Sequence, residues 1–230
     1  SQIGKPSLVA STPDDCYMIV SGGIISGKPN ENLLFAMSAD TLYVRASTAQ
    51  PFEAKPLPVQ YARPITKLYD AKGHKIESPT SHGKTVSLAV SAADARTVAV
   101  TGWPSVLTNV GVNESIWLST DLGGTWSNVF GNLAAATSAA GPVRPGGLLL
   151  VKIGGDEALL AGTINGVFVS FLSAPGKWKR LGMCDALPLV MVYTLQHEAK
   201  SDTLVAATMG RGVYTLSNAT VQLEAAKRFV

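Results

Sequence analysis

Short apolar and β-branched runs, separated by turn residues, repeat along the chain. The runs Asn32–Met37, Thr97–Gly102, Ala158–Thr163 and Thr203–Thr208 each close on small residues. Each is followed by a second run with an aromatic: Leu42–Val44, Ile116–Leu118, Val167–Val169 and Val213–Thr215. Another large apolar residue comes after each aromatic: Phe52, Trp126, Trp178 and Leu223. A further strand candidate precedes each unit, at Cys16–Val20, Val86–Val90, Leu148–Val151 and Val192–Leu195. Each unit therefore reads as four strands joined by turns, among them Ala92–Arg96, Gly154–Glu157, Asn165-Gly166 and Gly210–Gly212. No segment carries a sustained helical period, although the Ala-rich stretch Leu133–Ala140 has room for one turn.

The aromatic anchors Tyr43, Trp117, Phe168 and Tyr214 set the repeat. The last two steps fall near a propeller blade of roughly 40–50 residues. The first step is longer, and the excess falls where Lys67–Tyr69 and His74–Ile76 flank Asp70–Gly73, which reads as an inserted hairpin. A single four-stranded blade cannot bury both of its faces, whereas stacked blades cover each other and leave short edges. The expected fold is all-β: a β-propeller of four-stranded antiparallel blades at residues 14–58, 85–131, 146–183 and 190–228, with the inserted hairpin at 59–84. The alternative is a sandwich with coincidental spacing. At ~45 residues per blade, 230 residues hold about five blades at most. That length raises the expectation of part of a propeller, completed by a second polypeptide or by a missing segment.

One stretch carries a family resemblance. Ser119-Thr120-Asp121-Leu122-Gly123-Gly124-Thr125-Trp126 resembles the Asp-box, or BNR repeat, with the pattern S-x-D-x-G-x-T-W. The Asp of such a turn can accept hydrogen bonds from turn amides, and its glycines can take positive φ. The other units are degenerate. Ser170–Trp178 keeps Ser, Gly and Trp without the Asp, Ser47–Phe52 keeps Ser and an aromatic, and Ser217–Leu223 keeps less. Thr208–Tyr214 looks like the T-x-G-R-G-V-Y segment of final blades in the same superfamily. That superfamily includes sialidases, xyloglucanase-like hydrolases, sortilin-type receptor domains and photosystem assembly propellers. The resemblance implies that Ser119, Asp121, Gly123, Thr125 and Trp126 form a folding element on the face away from the usual ligand site.

Charged residues make up only 15% of the chain, against ~25% in an average soluble domain. Lys+Arg 19 against Asp+Glu 16 gives +3, with the basic residues scattered, so no nucleic-acid surface is expected. No apolar run reaches the ~18 residues of a spanning helix. Cys16 and Cys184 are too few for a disulfide framework, and an open arc of blades would hold them apart. Asp94, Asp156 and Asp202 sit in equivalent turns between first and second strands, which favours turn formation. Asp70 and Glu77, in the inserted hairpin, are the candidates for a catalytic pair. Tyr61, Arg63, His74 and Trp103 are candidate ligand contacts. His74, His82 and Asp70 fit no metal-ligand spacing, so neither metal nor cofactor is expected. Tyr61–Ile65 only scrambles the sialidase F/Y-R-I-P motif, and scattered arginines do not make a sialidase triad. The sequons Asn113–Ser115 and Asn218–Thr220 point to an extracellular or secretory location. The expected role is a non-catalytic recognition or scaffold module, binding a protein or glycan through loops opposite the Asp-box face. The alternatives are a glycoside hydrolase, or one chain of one, and a subunit or assembly factor of a larger complex.

Overall fold

The computed structural model describes residues 11–12, 16, 18–38, 40–58, 68–69, 75–76, 84–103, 116–137, 143, 145–182 and 189–228. In the first blade β1 (Met18–Ser21) leads through a small ribbon, β2 (Ile24–Ile25) and β3 (Lys28–Pro29), into β4 (Leu34–Met37), β5 (Thr41–Arg45) and β6 (Glu53–Pro56). The sheet order is β1-β4-β5-β6. A two-stranded pairing follows, with β7 (Leu68–Tyr69) antiparallel to β8 (Lys75–Ile76). The second blade is β9 (Lys84–Val90), β10 (Val98–Trp103), β11 (Ile116–Ser119) and β12 (Ser127–Asn128), followed by a short helix α1 (Leu133–Thr137). The third is β13 (Leu148–Ile153), β14 (Asp156–Thr163), β15 (Gly166–Phe171) and β16 (Lys179–Arg180). The fourth holds β17 (Val192–Glu198), β18 (Thr203–Thr208) and β19 (Val213–Ser217), and continues into a helix α2 (Ala219–Lys227). The protein is an all-β fold of antiparallel sheets arranged as propeller-like blades.

Three apolar layers lie between successive blades. Phe35, Met37, Leu42 and Val44 of blade one meet Leu88, Val98 and Val100 of blade two. Ala99, Ile116 and Leu118 of blade two meet Leu148, Leu150, Leu159 and Phe168 of blade three. Val151, Leu160, Val167 and Val169 of blade three meet Val192, Leu195, Leu204 and Ala206 of blade four. Alternate residues of a strand point to opposite faces. Leu159 and Ala161 thus face blade two while Ala158 and Leu160 face blade four. With both faces covered, β14 is buried from Glu157 to Thr163 and reads as a continuous apolar run, not as an alternating one. Blades three and four approach so closely that a Cβ on Gly162 would lie 2.7 Å from the Val192 carbonyl oxygen. Glycine at 162 is what allows that approach.

The fourth unit departs from the four-strand expectation. Among the described residues its sheet has three strands. Leu223, expected as the outer anchor of a fourth strand, lies in α2 with no exposed surface. The helix escaped detection because its buried side is narrow. Only Ala219 and Leu223 are buried, four residues apart, which is too little for a visible helical period. Its start is set by Asn218, which takes left-handed backbone angles (φ 51°, ψ 46°) and breaks the strand direction. At the other helical stretch the Ala-rich segment does form one short helix, over Leu133–Thr137.

Candidate functional site

The chemistry that the described residues offer is concentrated at two ends of the blades. One end carries the turns between first and second strands and between third and fourth strands. There the Ser119–Trp126 turn is held by a closed set of hydrogen bonds. Ser119 Oγ donates to Asp121 Oδ1 at 2.7 Å and accepts from the Gly123 amide at 2.9 Å. Asp121 Oδ1 accepts from the Thr125 amide at 2.8 Å, and Oδ2 accepts from Thr125 Oγ1 at 2.8 Å. Leu122 and Gly123 both have positive φ, 61° and 83°. A Cβ on Gly123 would press within 2.9 Å of Leu42, so the turn packs against the first blade. The Thr125 amide, then the Ser119 and Thr125 hydroxyls, hold the Asp121 carboxyl down to about 2.

Two other carboxylates perform the same task from a different turn. Asp156, at the start of β14, accepts from the Ser173 amide at 3.2 Å and from Ser173 Oγ at 2.6 Å. Asp202, before β18, accepts from the Thr220 amide at 3.1 Å and from Thr220 Oγ1 at 2.7 Å. Each grips the amide and hydroxyl of a Ser or Thr just beyond its blade's third strand, as Asp121 grips Thr125. Asp202 thereby satisfies free amides at the start of α2. His197 Nε2 lies 2.9 Å from Asp202 Oδ1. The Thr220 hydroxyl and then His197 hold the Asp202 carboxyl below the usual range. At the far end of α2, Lys227 Nζ lies 2.6 Å from Asp156 Oδ2. Burial pushes Asp156 up, but Lys227, Ser173 and the Glu157 amide outweigh it and the carboxyl sits low. The helix is thus fastened to blade four at its start and to blade three at its end. Asp94 is engaged likewise: Arg96 side-chain contacts hold its carboxyl low.

Glu157 is the exception. It is buried between blades two and three, and Ser91 Oγ donates to its Oε1 at 2.5 Å. Burial pushes its carboxyl up despite that hydrogen bond. A raised acid is what general acid catalysis requires, but this one is closed in by packing rather than set in a cleft. Among the described residues no three His, Cys, Asp or Glu side chains gather closely enough to hold a metal ion. No helix among them is long and apolar enough to cross a membrane.

At the opposite end, blade four presents an apolar surface. Leu189 is 69% exposed, Met209 60% and Tyr193 41%. The Tyr193 hydroxyl is 3.8 Å from Met209 Sδ, so these two side chains adjoin, and the Met209 amide donates to the Met191 carbonyl at 2.8 Å, two residues along the chain from Leu189. Exposed Arg211 projects from the same turn, and no carboxylate among the described residues pairs with it. Sequence reasoning missed this patch. Its signal was the T-x-G-R-G-V-Y segment, which reads as a turn motif and not as a surface.

The remaining expected contacts are less informative. Asp70, Glu77, Tyr61, Arg63, His74, His82 and Cys184 lie outside the described residues. Trp103 ends β10 at the patch-bearing end of its blade. Cys16 carries a free thiol, with Thr12 Oγ1 3.4 Å from its Sγ.

Neither a protein-family model nor a curated protein sequence matches the chain. Solved structures resemble it, among them the following two. One is YCF48 bound to D1 peptide, with a TM-score of 0.46 and 13% identity over 91% of this chain and 56% of that one. The other is the GH74 enzyme of Niastella koreensis, with a TM-score of 0.49 and 14% identity over 88% of this chain and 29% of that one. The chain thus spans little more than half of one and under a third of the other. Neither likeness bears on what this chain binds or does.

Proposed function

We propose that this chain is a non-catalytic scaffold module of the Asp-box propeller kind that binds a protein partner through the loops opposite its Ser119–Trp126 turn. The observation that carries the reading is the cluster of Leu189, Tyr193, Met209 and Arg211 at that end of blade four. Aromatic, Met and Arg side chains are the types enriched in the cores of protein interfaces. The carboxylates supply the complementary argument. Asp121, Asp156 and Asp202 hold turns and a helix, and Glu157 is sealed between blades. Each is committed to the fold, which leaves them unsuited to a facing acid and base pair across a cleft.

The test compares the chain with a Met209→Ser, Arg211→Glu double variant in quantitative affinity capture, with a glycan array run alongside. The reading expects a partner protein recovered by the unaltered chain and lost by the variant at unchanged melting temperature. Equal recovery by both would remove the patch as the binding surface. Hydrolysis of an oligosaccharide on the array by the unaltered chain would overturn the non-catalytic reading.

A further inference from the structure

The third strand of a blade is normally an interior strand, flanked by the second and the fourth. In blade three β15 is buried along its whole length, and in blade one β5 is buried from Leu42 to Arg45. In blade four the equivalent β19 is different. Val213, Thr215 and Ser217 are exposed, Val213 at 64%, and Tyr214 and Leu216 are only half-buried. Among the described residues no strand pairs with the outer side of β19. Gln222 Nε2 caps its end by donating to the Ser217 carbonyl at 2.9 Å, which leaves Val213–Leu216 open.

The outermost strands of blades one and three are guarded. β6 carries Glu53, Lys55 and Pro56, and β16 is Lys179-Arg180. Charge and proline are the usual means of blunting an edge against strand addition. β19 reads Val-Tyr-Thr-Leu-Ser, with neither. Beside it opens a cavity of about 60 Å³ lined by Val167, Leu181, Leu204, Ala206, Tyr214 and Leu216. This cavity continues the apolar layer between blades three and four. In blade three the corresponding step, just before the fourth strand, is filled by Trp178.

The geometry points to a strand-addition site: an extended segment of a separate polypeptide pairs with Val213–Leu216 as the fourth strand of blade four and rests an apolar side chain in the open cavity. Backbone pairing would supply affinity and the cavity would supply selectivity for that side chain. Leu181, just past β16, lines the cavity from the side of blade three. The site is distinct from the Leu189–Met209 patch, so either can fail alone.

The test uses the full chain and a peptide with the sequence Ala-Pro-Gly-Lys-Trp-Lys-Arg-Leu, the chain's own fourth-strand segment from 174–181. Amide hydrogen exchange is followed at Val213–Leu216 and at β15. Without peptide, Val213–Leu216 should exchange roughly tenfold or more faster than β15, and the peptide should slow them. A peptide with Ser in place of the Trp should bind roughly tenfold more weakly. A Tyr214→Ser chain, checked by circular dichroism, should lose the response. Three results would overturn the proposal. One is slow exchange at Val213–Leu216 before any peptide is added, because the chain then covers its own edge. Another is protection that rises with protein concentration together with a doubled native mass. The third is no protection by the Trp-bearing peptide.

Discussion

Replacing Trp178 by Ala should be the most damaging single truncation among the four outer anchors. The indole is 2% exposed and lies in the layer between blades two and three. Its Nε1 donates to the Val129 carbonyl at 2.8 Å. Its backbone amide donates to Asn132 Oδ1 at 2.6 Å, and that bond survives truncation. Removing a fully buried Trp costs about 3–5 kcal/mol through lost burial and the residual cavity. Within that figure, leaving the Val129 carbonyl without a partner accounts for about 1–3 kcal/mol. For a chain of this size, each kcal/mol lowers the melting temperature by about 2–4 °C, so a fall of about 6–20 °C is expected. Trp126 holds the corresponding position in blade two, yet it is only half-buried, and among the described residues its Nε1 has no hydrogen-bond partner. Trp126→Ala should therefore cost about half as much, roughly 2 kcal/mol. Trp178→Phe separates the two parts by keeping most of the packing and losing the hydrogen bond. Urea unfolding of the three variants, followed by circular dichroism, gives the comparison directly. If Trp178→Ala proves no worse than Trp126→Ala, Trp178 is not the inter-blade anchor that its burial implies.

Three further outcomes follow from the carboxylates. Asp202→Ala should remove the helical contribution of α2 from the far-ultraviolet spectrum and speed amide exchange over Ala219–Lys227, leaving β14 unchanged; retained helix would show that Leu223 and Lys227 hold it without Asp202. Asp121→Asn should lower the melting temperature at neutral pH. Because the folded carboxyl is held at about 2, the unaltered chain has this contribution above the ordinary value of ~3.9 and loses it as pH falls toward 2. The gap between the two proteins should close over that window, and a gap independent of pH would refute the charge-based account. Glu157 has the opposite sign. Its carboxyl is pushed up by burial, so ionisation destabilises the fold above the raised value and protonation relieves it below. Glu157→Gln should melt at a higher temperature than the unaltered chain at pH 7 and match it in acid, where a persistent gap would point to altered packing.

The blades were legible in the sequence because their signal is local and redundant. Each apolar run pairs with its neighbour across a short turn, as in Leu150 opposite Leu159 and Leu160 opposite Val169. Each also recurs in the next unit, so an ambiguous run such as Leu148–Val151 is read as a strand by position in the repeat and lies within β13. Helix α2 was hidden for the contrary reason. Its start depends on Asp202, eighteen residues earlier in the chain, and its end on Asp156 in another blade. Nothing within Ala219–Lys227 carries that information. The Leu189–Met209 patch was hidden too, since exposure depends on which neighbouring elements fail to cover a residue.

The displaced carboxylates explain why blades three and four do without a full S-x-D-x-G-x-T-W turn. In blades two, three and four the segment after the third strand meets an anionic acceptor for one amide and one hydroxyl. Blade two provides it from inside the turn, through Asp121 and Thr125. Blades three and four provide it from the adjacent turn of the same blade, through Asp156 to Ser173 and Asp202 to Thr220. Once the acceptor comes from outside, the segment after the third strand no longer has to curl around its own Asp. In blade three it still returns as a fourth strand, with Trp178 as anchor. In blade four the same freedom lets the chain leave the sheet as α2, and the departure exposes β19. Restoring an internal acceptor while removing Asp202 should therefore shift blade four toward a fourth strand. The Asp202→Ala chain with Asp introduced at Asn218 is the direct trial, read by loss of helical ellipticity together with slowed exchange at Val213–Leu216. Persistence of the helix in that chain would mean that Lys227 and Leu223, not the displaced acceptor, decide how the blade ends.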